Sequence, residues 1–182
     1  ELQAMNDEVY AWIEVPGTVI NYAVVQSATD DLFYINHAVD KSYFSGGSIF
    51  SQRYNTTTFQ DSMTVLYGHN SRSQAMFADA SFFEQNQSIY IYTPEKVYEY
   101  QIFAAYPHSS DHLLLCNDFN DPDQFAAYFD SLADGVNCNY RRDLFPQFGD
   151  KVLTLSTCYR QNRTQRFLVQ GVLTQEYTVL KK

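Results

Sequence analysis

Positive charge is scarce in this chain: 12 Lys and Arg stand against 21 Asp and Glu, a net charge of −9. A general nucleic-acid binder needs a basic surface to neutralise phosphates, so that class is excluded. Cysteine is scarce too. Cys116, Cys138 and Cys158 cannot all pair with one another, so at least one thiol is left over and no disulfide framework exists. No CxxC pair offers the close-spaced ligands of a zinc site. There is no apolar run of about 18 residues to span a membrane as a helix, and no signal peptide. The chain starts at Glu1 rather than Met, which leaves room for a targeting or anchoring segment upstream. Repeats, low-complexity stretches and linkers are also missing. The 182 residues therefore read as one domain, 1–182, long enough to bury a sizeable core.

What the chain has in quantity is aromatic residues, 15 Tyr and 14 Phe, which favour strands. Leu2, Met5, Val9, Trp12 and Ile13 fall at helical spacing, which predicts an N-terminal helix over Leu2–Ile13, stopped by Pro16-Gly17. Val19–Val25 reads as a strand, and a short helix capped by Thr29 or Asp30 runs to about Asn36. Ser48–Phe50 and Met63–Tyr67 are short strands, the second closed by Gly68-His69-Asn70. Gln74–Glu84 is helix-like. Ser88–Tyr92 and Lys96–Tyr106 alternate around Thr93-Pro94-Glu95 and predict a hairpin. Asp121-Pro122 opens a helix with Phe125, Tyr128, Phe129 and Leu132 on one face, and Gly135–Asp150 is irregular. Many short strands with few short helices favour a closed or partly closed β-barrel with helices outside it.

The chemistry centres on Lys151–Leu173, KVLTLSTCYRQNRTQRFLVQGVL, which reads as strand, polar loop, strand. Cys158 lies where the first strand stops, beside Arg160, Arg163 and Arg166. Such an electropositive neighbourhood favours the thiolate, the nucleophilic form, whereas a small buried apolar cysteine is the plainer alternative. Spacing alone leaves both open. Among the four histidines His69 is best placed to act as a base, since it follows a strand directly in a tight polar turn. His37 comes second, and His108 and His112 look like ordinary surface residues. With Cys158 as nucleophile, His69 would protonate a leaving amine and Arg166 would hold a carbonyl oxygen becoming an oxyanion. A metal site of Cys158, His69 and His37 lacks close-spaced ligands, and NDFNDPD lacks the loop Gly and distal Glu of a calcium loop.

TLSTC followed by an Arg that opens the next strand resembles the active-site hairpin of sortases, and LYGHN at 66–70 resembles their His motif. VYAWIEVPGTVINYAVVQ at 9–26, DDLFYINH at 30–37, GGSIFSQRYN at 46–55, MFADASFF at 76–83 and YEYQIFAAY at 98–106 resemble class B members. The resemblance covers nearly the whole chain. It implies a mainly β fold: a closed eight-stranded barrel with N-terminal helices (an extension over 1–14) and a further helix before the catalytic strand. It implies a cysteine transpeptidase without cofactor, held at the outer face of a Gram-positive membrane by an apolar anchor of about 20 residues expected upstream of Glu1. The partners implied are the C-terminal sorting peptide of a secreted protein, cut after Thr, and an amine acceptor, a cell-wall precursor or pilin lysine. Position by position it implies Cys158 as nucleophile, His69 as acid/base and Arg166 as the oxyanion-side cation. It puts Asn36, Ser156 and Thr157 near the substrate. Arg163 competes with Arg166 because the loop is short, but Arg166 directly precedes the strand FLVQGVL. Cys116 and Cys138 match no functional position. Two rivals remain: a cysteine hydrolase using the same residues, and a β-barrel binding module with no enzymatic activity.

Overall fold

The computed structural model describes residues 2–69, 88–133, 135, 138–158 and 164–179. The chain runs α1 (Leu2–Met5), β1 (Val9–Glu14), β2 (Asn21–Val25), a 3-10 turn at Phe33–Ile35, β3 (Ile49–Phe50) and β4 (Met63–Tyr67). β5 (Ser88–Tyr92), β6 (Lys96–Ser109), α2 (Leu113–Cys116) and α3 (Pro122–Ala133) follow. β7 (Asn139–Tyr140), a 3-10 turn at Arg142–Leu144, β8 (Val152–Cys158) and β9 (Gln165–Thr178) complete it. Strand order is β5-β1-β2-β3-β4-β8-β9-β6-β7, and β6 also pairs with β5. That last pairing closes eight strands into a barrel, with β7 lying on the free stretch of β6.

The predicted N-terminal helix is wrong beyond its first turn. α1 ends at Met5, and the helical extension over 1–14 is replaced by strand β1 from Val9. In VYAWIE the period of two prevails: Val9, Ala11 and Ile13 are buried while Tyr10, Trp12 and Glu14 are half-exposed. Helical spacing shares Val9 and Ile13 with this alternation, and pairing to both β2 and β5 decided between the two patterns. The strands at Met63–Tyr67 and Ser88–Tyr92 have the predicted bounds, and β6 and β9 run longer than predicted. The helix predicted over Gln74–Glu84 lies outside the described residues.

Ile13, Leu66, Ile102, Leu153, Leu155 and Val169 pack inside the barrel. The outer face of β4, β6, β8 and β9 is covered by α3, whose Phe125, Tyr128, Phe129 and Leu132 pack with Met63, Phe103 and Val152. Burying such a side chain contributes roughly 1.5–3 kcal/mol. α3 starts as its sequence signals: Asp121 Oδ1 accepts the Gln124 backbone N–H at 2.8 Å and Pro122 takes the first helical position. β8 is therefore covered on both faces, which is why residues 152–157 are all buried and only Cys158 is exposed.

Candidate active site

Two pairings of β8 place the chemistry at its end. β4 runs parallel to β8 with Tyr67 opposite Ser156, and the Gly68 N–H continues the ladder to the Ser156 carbonyl at 3.1 Å. His69 is two residues beyond Tyr67 and Cys158 two beyond Ser156, so both come level at one barrel end, where they line one cleft. On the other side β9 runs antiparallel, with Arg166 directly opposite Cys158. Opposed residues share a face. The Arg166 Nη1–H donates to Cys158 Sγ at 3.0 Å. β6 extends the row by pairing His108 with Arg166.

This arrangement suits covalent chemistry. A permanent cation donating to sulfur interacts more strongly with S⁻ than with SH. His69 Nε2–H donates to the Ile35 carbonyl at 2.6 Å, which orients the ring and makes Nδ1 the lone-pair nitrogen of the neutral form. The cleft holds about 320 Å³ and is walled by apolar residues such as Leu32, Ile35, Val65, Leu113 and Leu168. Burial pushes the Tyr67 hydroxyl up to about 12 against the opposing charge of Arg166, so it stays a neutral phenol. Burial also holds His112 below the ordinary imidazole range, against a backbone hydrogen bond and the charge of Asp31. Its Nε2–H donates to Gln52 Oε1 at 2.7 Å, and its buried Nδ1 has no hydrogen-bond partner among the described residues.

Of the predicted site residues, His69, Cys158, Arg166, Ser156 and Thr157 border the cleft. Alternation turns Thr157 away from the Cys158 face; it is 4% exposed and its hydroxyl has no hydrogen-bond partner among the described residues. Asn36 is not among the cleft-lining residues, although its neighbour Ile35 is. Arg160 and Arg163 lie outside the described residues. His37 is not in the row: its ring stacks on Phe33 at 4.0 Å and its Nδ1–H donates to the Phe33 carbonyl. Three groups of His, Cys, Asp or Glu converge nowhere among the described residues. His108 and His112, read from sequence as surface residues, both line the cleft. Pro107 hid the first, because it breaks the visible alternation although β6 continues to Ser109.

A sequence model of the sortase domain matches residues 13–174. The chain belongs to the sortase family. Sortase B of Listeria monocytogenes is 28% identical over 181 residues, 95% of this chain and 72% of that one. The crystal structure of Clostridium perfringens sortase B superposes with a TM-score of 0.82 at 28% identity, over 96% of this sortase and 98% of that chain. A Staphylococcus aureus sortase B–substrate complex gives 0.80 at 26% identity, over 96% and 83%. This sortase is a cysteine transpeptidase of class B. Sortases are cell-surface enzymes of Gram-positive bacteria. Among its described residues no helix is long and apolar enough to cross a membrane.

Proposed function

We propose that Cys158 is the nucleophile, His69 the general acid and base, and Arg166 the oxyanion-side cation of a sorting transpeptidase. The row His69–Cys158–Arg166 across three adjacent strands, with guanidinium and sulfur 3.0 Å apart, carries the reading. The sorting peptide of a secreted protein lies in the apolar cleft, with Ser156, Thr157 and Asn36 near it. The Cys158 thiolate attacks the carbonyl carbon of the motif's Thr, and the developing oxyanion is met by Arg166. The tetrahedral intermediate collapses as His69 gives its proton to the leaving amine, which leaves a thioester. An acceptor amine then attacks the thioester carbon, its proton passes to His69, and Cys158 departs as thiolate. The acceptor is a cell-wall precursor or a pilin lysine. The enzyme is held at the outer membrane face by an upstream anchor, and slow turnover is tolerable where tethering keeps effective concentration high. No nucleic acid or cofactor takes part.

The test is mass spectrometry of the protein with a panel of sorting-type peptides, with and without amines. The expected products are a Cys158 acyl-enzyme and, with amine, a ligated peptide. Cys158→Ala keeps the fold, since the side chain is exposed, and forms no adduct. Turnover comparable to the parent in that variant would end the cysteine mechanism; cleavage without ligation to any amine would make the enzyme a hydrolase.

A further inference from the structure

The longest one-signed stretch of the chain flanks the cleft. Between Lys96 and Arg141 there is no Lys or Arg, yet Asp111, Asp118, Asp121, Asp123 and Asp130 fall there. All but the half-buried Asp121 are exposed. The ion pairs found among the described residues, Lys41–Glu8, Arg53–Asp31 and Lys96–Glu176, lie elsewhere. Asp118 accepts the Asn120 N–H and Asp121 caps α3, but these are neutral donors and leave the charge in place.

Within this acidic face lies a second hollow of about 370 Å³, lined by Gln124, Ala127 and Ser131 of α3 with Asn117 and His108. His108 also lines the cleft, so the two hollows share this residue as a wall. The row Cys158–Arg166–His108 crosses two strand spacings, about 10 Å in all. Three extended residues, or a lysine stem and its backbone, span that distance.

We propose that this second hollow is the acceptor subsite, docking a cationic, amine-bearing peptide whose amine reaches past Arg166 to the thioester at Cys158. It rests on the thioester mechanism proposed above. Once the sorting peptide fills the cleft, the acceptor needs a separate approach, and this hollow adjoins the cleft at His108. Amines are largely ammonium ions at neutral pH, so the acceptor arrives positively charged and the acidic face concentrates it. Beside His108, the lining groups Asn117, Gln124 and Ser131 are neutral and suit a peptide backbone. They therefore do not hold the amine in an ion pair when it must give up its proton to attack.

The experiment forms the acyl-enzyme and follows its capture by triglycinamide and by lysinamide, both cationic, and by hydroxylamine, small and uncharged. Two variants are compared with the parent: Ser131→Arg, and the combined Asp118→Asn, Asp123→Asn, Asp130→Asn. Both should raise the half-saturating concentration of the cationic amines about tenfold. Added salt should do the same to the parent. Acyl-enzyme formation and hydroxylamine capture should stay within about twofold, as expected for surface charges remote from the sulfur. The proposal is overturned if half-saturation by the cationic amines is unmoved in both variants, or if hydroxylamine capture falls in parallel. It is also overturned if neither cationic amine captures the parent acyl-enzyme. Failure to form any acyl-enzyme would instead sink the mechanism at Cys158.

Discussion

Replacing Arg166 tests the row most directly. Its Nη1 lies 3.0 Å from Cys158 Sγ. Unit charges at that separation interact by about 5.5 kcal/mol at an effective dielectric of about 20. Cys158 is exposed, so water takes part of that away. What remains is comparable to the roughly 2.7–4 kcal/mol lost with one preorganised oxyanion donor, a factor of ~10²–10³. Preorganisation is visible in the register, since β9 is held at Arg166 by both β8 and β6. Arg166→Ala should therefore slow acyl-enzyme formation ~10²–10³-fold. Arg166→Lys should recover little, because an ammonium is a point charge on a flexible stem and cannot reproduce the planar fork. Arg160→Ala and Arg163→Ala, in the polar stretch between the strands, should each cost less than about tenfold. The assay is single-turnover acylation by a fluorogenic sorting peptide, with circular dichroism to verify folding. If Arg166→Ala stays within a few-fold of the parent, the guanidinium is only a neighbour of the thiol. If Arg163→Ala is the severe variant, the oxyanion role moves there.

Gly47 has φ +61, and an added Cβ would lie 2.6 Å from the carbonyl oxygens of both Tyr34 and Ile35. Because the Ile35 carbonyl holds His69, Gly47→Ala should destabilise the fold by more than about 1 kcal/mol and also lower kcat for cleavage, read by urea denaturation and steady-state kinetics; an active, fully stable variant contradicts this. Burial holds His112 below the ordinary imidazole value, so the unfolded chain binds that proton more tightly than the folded one. The stability it contributes is complete above about pH 6.5 and is lost as pH falls through the depressed folded value. His112→Asn should flatten the fall in urea midpoint between about pH 7 and pH 5, and an unchanged slope would rule His112 out as its source. Phe125 is 1% exposed in the contact between α3 and the barrel, so Phe125→Ala should cost about 3–5 kcal/mol by thermal or urea denaturation. A loss under 1 kcal/mol would mean that α3 contributes little to the barrel's stability.

Local chemistry wrote the strands at Met63–Tyr67 and Ser88–Tyr92, the Asp121-Pro122 helix start and the end of β8 at Cys158 directly into the sequence. Alternation, capping and turn residues act over a few neighbours, so they can be read without a fold. The motifs around His69 and Cys158 were legible in the same way, as residue types at strand ends. The helical spacing of Leu2–Ile13 misled because Val9 and Ile13, four apart, satisfy both periods, and only the pairing partners β2 and β5 choose between them. Convergence of His69 with Cys158 depends on a parallel register between strands 89 residues apart in sequence, Tyr67 against Ser156. His108 and His112 joined the cleft by the same kind of long-range placement, through the β6–β9 register and the contact with Gln52. Spacing along a chain carries no information about which strands become neighbours. Barrel closure and the packing of α3 supply it, because they are decided by burial of faces contributed from the whole chain.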